Sequence, residues 1–501
     1  MQSEISSGSE RRLILMHKSH GLLLIASLLL PLLLFSFTAY NSYGYDDEMF
    51  NLNHIESYSS AYKLVSEHLS GKFLDIHPLG SYIINYALIK IFGSWNIVRV
   101  FGAVISALSV WLFWRYIVIA GVNDILTVIF AYVFMCLNPN LILWCTSVRW
   151  YTYFFPLVCI MGMLFSPPKF IGARKNLFWG IYFITASLMF YIESNAAIMI
   201  LVSFILLLFQ RRKNLRDEYR VILCFGLLSV LFVSRQIYLC LTVLYPAAKS
   251  GEVYSFMASF IGGGHHFLLS HAVMPLSIPG LILIIANTIL FLAFIMNIKA
   301  VSSSYTNGFF MLSYTGMILS GIGGKIRNYV SLSAVHGNFL ADTFSRIISR
   351  NLKLIVLALY IAGNSWGIFN VMNHTDTTRG TWNTPYGEMI EFMKNYDTEK
   401  YVILSHNPVF DYHVKRLGFK VIDALGDSEW HDKISEHEGA VIVLKTYKGS
   451  LSDSGYALFN DYINGRKIIH SKKFGRDKYA EFKRRFDAGY PDYYAEILIT
   501  E

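Results

Sequence analysis

The sequence predicts an α-helical polytopic membrane protein, about 9–11 spans followed by a small C-terminal α/β domain. Three observations predict it. Only 15% of the 501 residues are charged and 54% are hydrophobic, whereas a soluble domain carries about 25% charged residues. Apolar runs near spanning length recur as far as residue 372. From Asn373 onward no such run appears and charges become frequent. The mean hydropathy of +0.42 and an aromatic content of 16% agree with a chain whose solvent is lipid, with Trp and Tyr at the interfaces.

The apolar runs fall at 21–40, 96–120, 125–145, 150–165, 176–193, 196–210, 220–245, 274–298, 306–323 and 353–372. A spanning helix needs about 20 residues, so the shorter runs read as tilted or broken helices. Arg11, Arg12 and Lys18 precede the first run with no small-residue cleavage site after Tyr40. Residues 1–20 are therefore expected as a cytoplasmic N-terminus and the run as an uncleaved helix. Lys169, Arg174 and Lys175 mark one cytoplasmic loop, and Arg211, Arg212, Lys213, Arg216 and Arg220 the next, by the positive-inside rule. Alternation then places 41–95 outside, within a membrane domain over 21–372. Parity conflicts with charge further on. Ten runs return the C-terminus to the cytoplasm, yet Lys325, Arg327, Arg346, Arg350 and Lys353 put 324–353 on the cytoplasmic side. The charge rule is preferred, which requires an odd count and places the C-terminal domain outside.

That domain, 373–501, alternates strand-like segments at 401–404, 420–422, 440–444, 467–470 and 495–499 with helical patterns near 386–395, 409–417, 454–463 and 478–486. This alternation predicts α/β structure. In Ser405-His406-Asn407-Pro408, Asn407 reads as a helix cap. The net charge of +9 resides largely in short loops between apolar runs, which argues against nucleic acid as a partner. Cys136, Cys145, Cys159, Cys224 and Cys240 all lie in apolar stretches and read as packing residues.

Chemistry concentrates in the water-facing segments. Asp46-Asp47-Glu48 follows the first helix directly; three carboxylates at a membrane boundary are costly unless they face water or perform a task. A carboxylate there is a candidate general base for a hydroxyl. The alternative is a solvated turn that ends the helix. Residues 47–70 show helical spacing of Phe50, His54, Ile55, Tyr58, Tyr62 and Val65 and are expected to lie on the membrane surface. Asp75 and His77-Pro78 break that helix from a second amphipathic stretch, 82–92. Arg149 and Tyr151 sit at the outer end of the third or fourth run. A guanidinium there either snorkels or holds phosphate oxygens in pairs.

In this order, Asp47-Glu48, His77-Pro78, Arg149-x-Tyr151 and a soluble C-terminal domain resemble the GT-C superfamily of membrane glycosyltransferases. The resemblance covers roughly residues 20–200 by motif and the rest by architecture. It implies a GT-C-like catalytic domain using a polyprenyl-phosphate sugar donor, with inverting transfer on the outer membrane face. Asp47 would be the base, with Asp46 the alternative and Glu48 in support. Two departures stand out: Leu79 follows His77-Pro78, and Glu193-Ser194-Asn195 occupies the turn after the fifth run. Composition and length are also similar to phage-encoded O-antigen glucosyltransferases. That similarity implies hexose transfer, glucose favoured, to a surface polysaccharide in the bacterial inner membrane, with the C-terminal domain periplasmic.

Further donor- or acceptor-binding candidates are Asp75, His77, Glu193, Arg235, His265 and His266. Arg235 lies inside the seventh run, where a charge needs a partner or a function; Glu193 is the expected partner. His265-His266 follows three glycines and reads as part of a loop closing over substrate rather than a metal site, because adjacent side chains diverge. No cofactor is demanded, although a divalent cation at Asp46, Asp47 and Glu48 stays open. A polysaccharide polymerase or lipid-linked-sugar flippase is the nearest rival reading, and a non-enzymatic scaffold the third.

Overall fold

A computed structural model describes residues 23–42, 46–70, 79–119, 124–167, 169–244, 278–319, 326–373, 384–424, 429–435, 437, 440–446, 453–476 and 493–500. The chain divides into two compact units, one built from α1 and residues 58–371, the other from 42–57 with 372–501. Its helices are α1 (Leu23–Asn41), α2 (Asp46–Glu56), α3 (Ala61–Ser70), α4 (Leu79–Phe92), α5 (Trp95–Phe113), α6 (Ile125–Cys136), α7 (Pro139–Cys145), α8 (Trp150–Met163), α9 (Lys169–Gly172), α10 (Lys175–Ile192), α11 (Ala196–Gln210) and α12 (Leu215–Leu239). There follow α13 (Ile278–Met296), α14 (Ile298–Ser302), α15 (Tyr305–Leu319), a 3₁₀ segment Ile326–Leu332, α16 (Ser333–Ser345) and α17 (Arg350–Met372).

Among the described residues, five helical stretches are long and apolar enough to cross a membrane: Leu23–Asn41, Trp95–Tyr116, Ile125–Cys145, Leu215–Thr242 and Arg350–Met372. Shorter apolar helices, including α4, α8 and α11, complete the body. The chain is a multi-pass membrane protein, because so many apolar outward faces have no place in water.

One buried helix was not visible as an apolar run. Between α15 and α17 lies α16, directly preceded by the 3₁₀ segment. All but three of its thirteen side chains are buried. Two of its polar side chains bond within the bundle: Asn338 Nδ2 donates to Asn307 Oδ1 at 2.9 Å, and Asn307 Nδ2 to Asp342 Oδ2 at 2.9 Å. The His336 ring stacks on Phe310 at 4.7 Å. A helix surrounded by protein needs no lipid-facing stripe, so low hydropathy concealed it. Within 324–353, whose charges the sequence reading assigned to the cytoplasmic side, the structure thus holds a buried helix.

The basic loops gather at one end of the body. Lys353 Nζ meets Asp124 Oδ2 at 2.6 Å, and an Arg346 nitrogen donates to the Ala300 carbonyl at 3.4 Å. Gln210 Nε2 donates to the Phe165 carbonyl at 2.7 Å, and Phe165 touches the Phe309 ring at 5.4 Å. Helix α17 begins at this end, and its 23 residues carry the chain about 34 Å at 1.5 Å per residue, to the opposite end.

In the second unit a five-stranded sheet runs in the order β2-β1-β3-β5-β4. Its strands are β1 (Val402–Ser405), β2 (Lys420–Asp423), β3 (Val441–Thr446), β4 (Ile468–Arg476) and β5 (Tyr493–Thr500). The first three pair in parallel, while β5 is antiparallel to both β3 and β4. Helices α18 (Tyr386–Met393), α19 (Pro408–Arg416), α20 (Trp430–Ser435) and α21 (Asp453–Asn464) connect or flank the strands. Leu404, Ile422, Trp430, Ile434, Val443 and Phe459 share one core. All five predicted strands are present within a few residues; the helical pattern near 478–486 lies outside the described residues.

Candidate functional site

The acidic segment has a different setting from the surface helix expected over 47–70. The backbone of Asp46, Asp47 and Glu48 opens α2, which stops at Glu56 before α3 begins at Ala61. Helix α2 groups with the C-terminal unit and packs on α19, whereas the sequence had placed it in the outer loop of the membrane domain. Carboxylates in a first helical turn are favoured by the positive end of the helix dipole. Glu48 is fully buried, with Met49, Leu52 and Ile55 also inside; Glu56 lies 3.9 Å from Arg416. The Asp46 and Asp47 side chains lie outside the described residues, as do Asp75, His77, His265 and His266.

Arg149 and Tyr151 lie in the membrane unit. Arg149 is the residue before α8, in extended conformation, and is 4% exposed. The turn before it is tied down: the Thr146 hydroxyl donates to the Ile142 carbonyl at 2.7 Å, and that of Ser147 to the Trp144 carbonyl at 2.8 Å. From α4, Asn85 donates to the Val148 carbonyl at 3.3 Å and accepts from the Tyr153 hydroxyl at 2.5 Å. Tyr151 is wholly buried between Trp144 and Trp150, with ring centroids at 5.4 and 4.5 Å.

A second guanidinium accompanies it. A Cβ on Gly102 of α5 would stand 2.4 Å from the Thr152 methyl, and one on Gly162 of α8 would stand 2.7 Å from Phe113. The two helices therefore run parallel with a nearly constant offset of about fifty positions, one contact lying some three turns from the other. The same offset sets Arg99 level with Arg149, one turn beyond the Gly102–Thr152 contact. Arg99 is fully buried, its guanidinium 3.5 Å from the Trp95 ring centroid, a cation–π contact on a desolvated face. Sequence reasoning missed Arg99. The available signal was an arginine inside an apolar run, the same signal that drew attention to Arg235. Guanidiniums are the side chains that bind phosphate oxygens in pairs.

Glu193 and Arg235 do other things. Glu193 ends α10, is buried, and accepts from the Asn195 backbone N–H at 3.1 Å. Arg235 is exposed and donates through Nε at 2.8 Å, and through a second nitrogen, to the Leu69 carbonyl. The guanidinium thus satisfies a carbonyl in the last turn of α3, in place of the expected Glu193 partner. Nearby, a Cβ on Gly80 would meet the Tyr191 carbonyl at 2.6 Å, so only glycine lets α4 rest against the end of α10.

In the C-terminal domain Asn407 is the cap that the sequence predicted. Its side-chain oxygen accepts from the Val409 and Phe410 N–H groups at 3.1 and 3.0 Å. Burial pushes the neighbouring His406 down from 6.5 to about 4, with nearby Asp423 opposing the shift, so this imidazole is neutral at pH 7. Among the described residues no group of three His, Cys, Asp or Glu side chains could hold a metal ion.

No protein-family model matches this chain, and no curated protein sequence matches it. Solved structures do. The crystal structure of ArnT from Cupriavidus metallidurans in the apo state is similar with a TM-score of 0.51 at 10% identity, covering 97% of this chain and 98% of that one. ArnT of the same organism bound to undecaprenyl phosphate gives a TM-score of 0.51 at 8% identity, covering 96% of this chain and 98% of that one. The likeness shows the fold. This chain has an ArnT-like architecture, a multi-pass helical body with a C-terminal α/β domain.

Proposed function

We propose that the chain is a membrane glycosyltransferase drawing on a polyprenyl-phosphate-linked sugar. The observation that carries this reading is the pair of buried guanidiniums, Arg99 and Arg149, in a body whose fold is that of ArnT, one structure of which is bound to undecaprenyl phosphate. The donor phosphate is held by Arg149 and Arg99 with Tyr151 beside them, and His77 assists. Asp47 takes the proton of an acceptor hydroxyl while that oxygen attacks the anomeric carbon. The bond from this carbon to the phosphate oxygen breaks on the opposite face, the configuration inverts and polyprenyl phosphate leaves. The guanidiniums stabilise the charge that grows on the departing phosphate, where such an enzyme gains most of its rate. Asp46 and Glu48 orient the base or the acceptor.

The transferred sugar is a hexose, glucose favoured, and the acceptor a surface polysaccharide such as O-antigen. The membrane is the bacterial inner membrane. The basic end of the body faces the cytoplasm by the positive-inside rule, so the opposite end, with Arg99 and Arg149, faces the periplasm; the C-terminal domain is periplasmic by the same charge rule read from the sequence. The test is the mass of surface polysaccharide from cells that make polyprenyl-phosphate hexose and express either wild type or Asp47→Asn. A hexose increment that disappears in Asp47→Asn is expected. An increment that survives moves the base to Asp46 or Glu48. Changed chain length or export without any increment overturns the transferase in favour of a polymerase or flippase.

A further inference from the structure

At the basic end of the membrane unit, away from the Arg99–Arg149 site, a cleft of about 670 Å³ opens between the start of α10 and the turn joining α11 to α12. Arg174, Lys175, Arg211, Asn214, Asp217 and Glu218 contribute to its lining. Its floor is a buried network. Arg211 and Glu218 form an ion pair at 2.5 Å with both side chains largely shielded, Trp179 Nε1 donates to Glu218 Oε2 at 2.8 Å, and the Arg211 guanidinium lies 4.3 Å from the Phe178 ring centroid. Lys175 Nζ donates to the Asp217 carbonyl at 2.9 Å, drawing the two helix starts together.

Glu218 is neutralised by Arg211, which leaves Asp217 as the lining carboxylate against Arg174 and Lys175. Arg212, Lys213, Arg216 and Arg220 are exposed around the cleft. Charge alone is what orientation in a membrane requires of a loop. A cleft floored by a buried, hydrogen-bonded ion pair is more than orientation requires.

What lies beneath decides the chemistry of the ligand. Leu177, Ile184, Leu223 and Leu227 on the outward faces of α10 and α12 are all exposed. These helices pack closely: a Cβ on Gly180 would lie 3.5 Å from the Phe225 ring, and one on Gly226 the same distance from Phe183. An apolar lane thus runs from the cationic cleft along the lipid-facing surface. Free phosphate uses only the cleft, whereas a phospholipid uses both.

We infer that this cleft binds the headgroup of an anionic phospholipid, with the acyl chains lying along the exposed face of α10 and α12. Basic clefts between spanning helices on the cytoplasmic side suit anionic headgroups, each cation contributing about 1 kcal/mol near the membrane surface. The site is independent of sugar transfer, and its test does not read activity. Purified full-length protein in neutral detergent is offered phosphatidylglycerol or phosphatidylcholine, and retained lipid is counted by native mass spectrometry.

Phosphatidylglycerol is expected to be retained in preference to phosphatidylcholine. Arg174→Gln is expected to weaken it about fivefold and Arg174→Gln/Lys175→Gln about 25-fold, the factors equivalent to about 1 kcal/mol per cation. Both variants leave the Arg211–Glu218 floor in place, and an unchanged thermal transition verifies the fold. Should the double variant unfold early, Arg174→Gln alone decides the matter. Equal retention of the two lipids, or phosphatidylglycerol binding untouched by Arg174→Gln, overturns the proposal. Displacement of the lipid by low-millimolar inorganic phosphate assigns the cleft to a soluble anion and overturns it equally.

Discussion

Replacing Gly102 by alanine tests whether the contact between α5 and α8 sets the arginine pair. The new methyl would stand 2.4 Å from Thr152 Cγ2, with the next nearest atom, Thr152 Cβ, at 3.7 Å. A single methyl group therefore accounts for the whole clash. Overpacking of this kind costs about 1–3 kcal/mol. The strain is released by spreading two helices that carry Arg99 and Arg149 one turn away, so donor binding weakens along with stability. Thr152→Ser removes only Cγ2. The serine hydroxyl keeps the bond that Thr152 makes to the Ser147 carbonyl at 2.5 Å, and the lost methyl costs about 1 kcal/mol. In Gly102→Ala/Thr152→Ser the alanine methyl fills the vacated space. The double variant should then be more stable than Gly102→Ala alone, with a coupling energy of about 1–3 kcal/mol. The assay is thermal unfolding of the detergent-purified protein, with binding of polyprenyl phosphate measured alongside. If the double variant loses as much as the two single changes together, the contact is not what spaces these helices and the reasoning fails.

Two further outcomes follow from the same geometry. Arg149→Lys and Arg99→Lys keep the charge but lose paired donation to phosphate; each should weaken polyprenyl-phosphate binding about 30-fold, equivalent to about 2 kcal/mol for one charge-assisted hydrogen bond, and unchanged binding in both would remove these residues from the donor site. His406 should make stability depend on pH. The folded imidazole is held down to about 4 against 6.5 when unfolded, so the unfolded chain binds the extra proton between these values. Stability is complete above about pH 6.5 and declines as the pH falls towards 4, by at most about 3 kcal/mol. His406→Phe should flatten that slope in equilibrium unfolding, and a slope equal to wild type would refute the assignment.

How much of this was legible in the sequence differs by element. The C-terminal strands were legible because β-branched runs such as Val402–Leu404 and Val441–Leu444 sit between turn-forming residues, a local signal for buried strands. The Asn407 cap was legible for the same reason, since capping acts over three residues. Helix α16 was illegible. Its sequence carries Asn338 and Asp342, both of which bond to Asn307 of α15, a partner some thirty residues away. Arg99 lay in plain view inside an apolar run, but its level with Arg149 depends on how α5 lies against α8.

By itself the sequence determined the solvent of each segment: lipid for the long apolar runs and water for the domain beyond residue 373. These follow from transfer free energies, which accumulate residue by residue along a chain. Tertiary structure alone decided that 42–57 belongs with the C-terminal domain, that Arg235 meets the Leu69 carbonyl rather than Glu193, and that a helix of polar sequence is buried in the body. Each of these depends on which surfaces bury one another. Burial is a property of pairs of elements distant in sequence, and no local pattern records it.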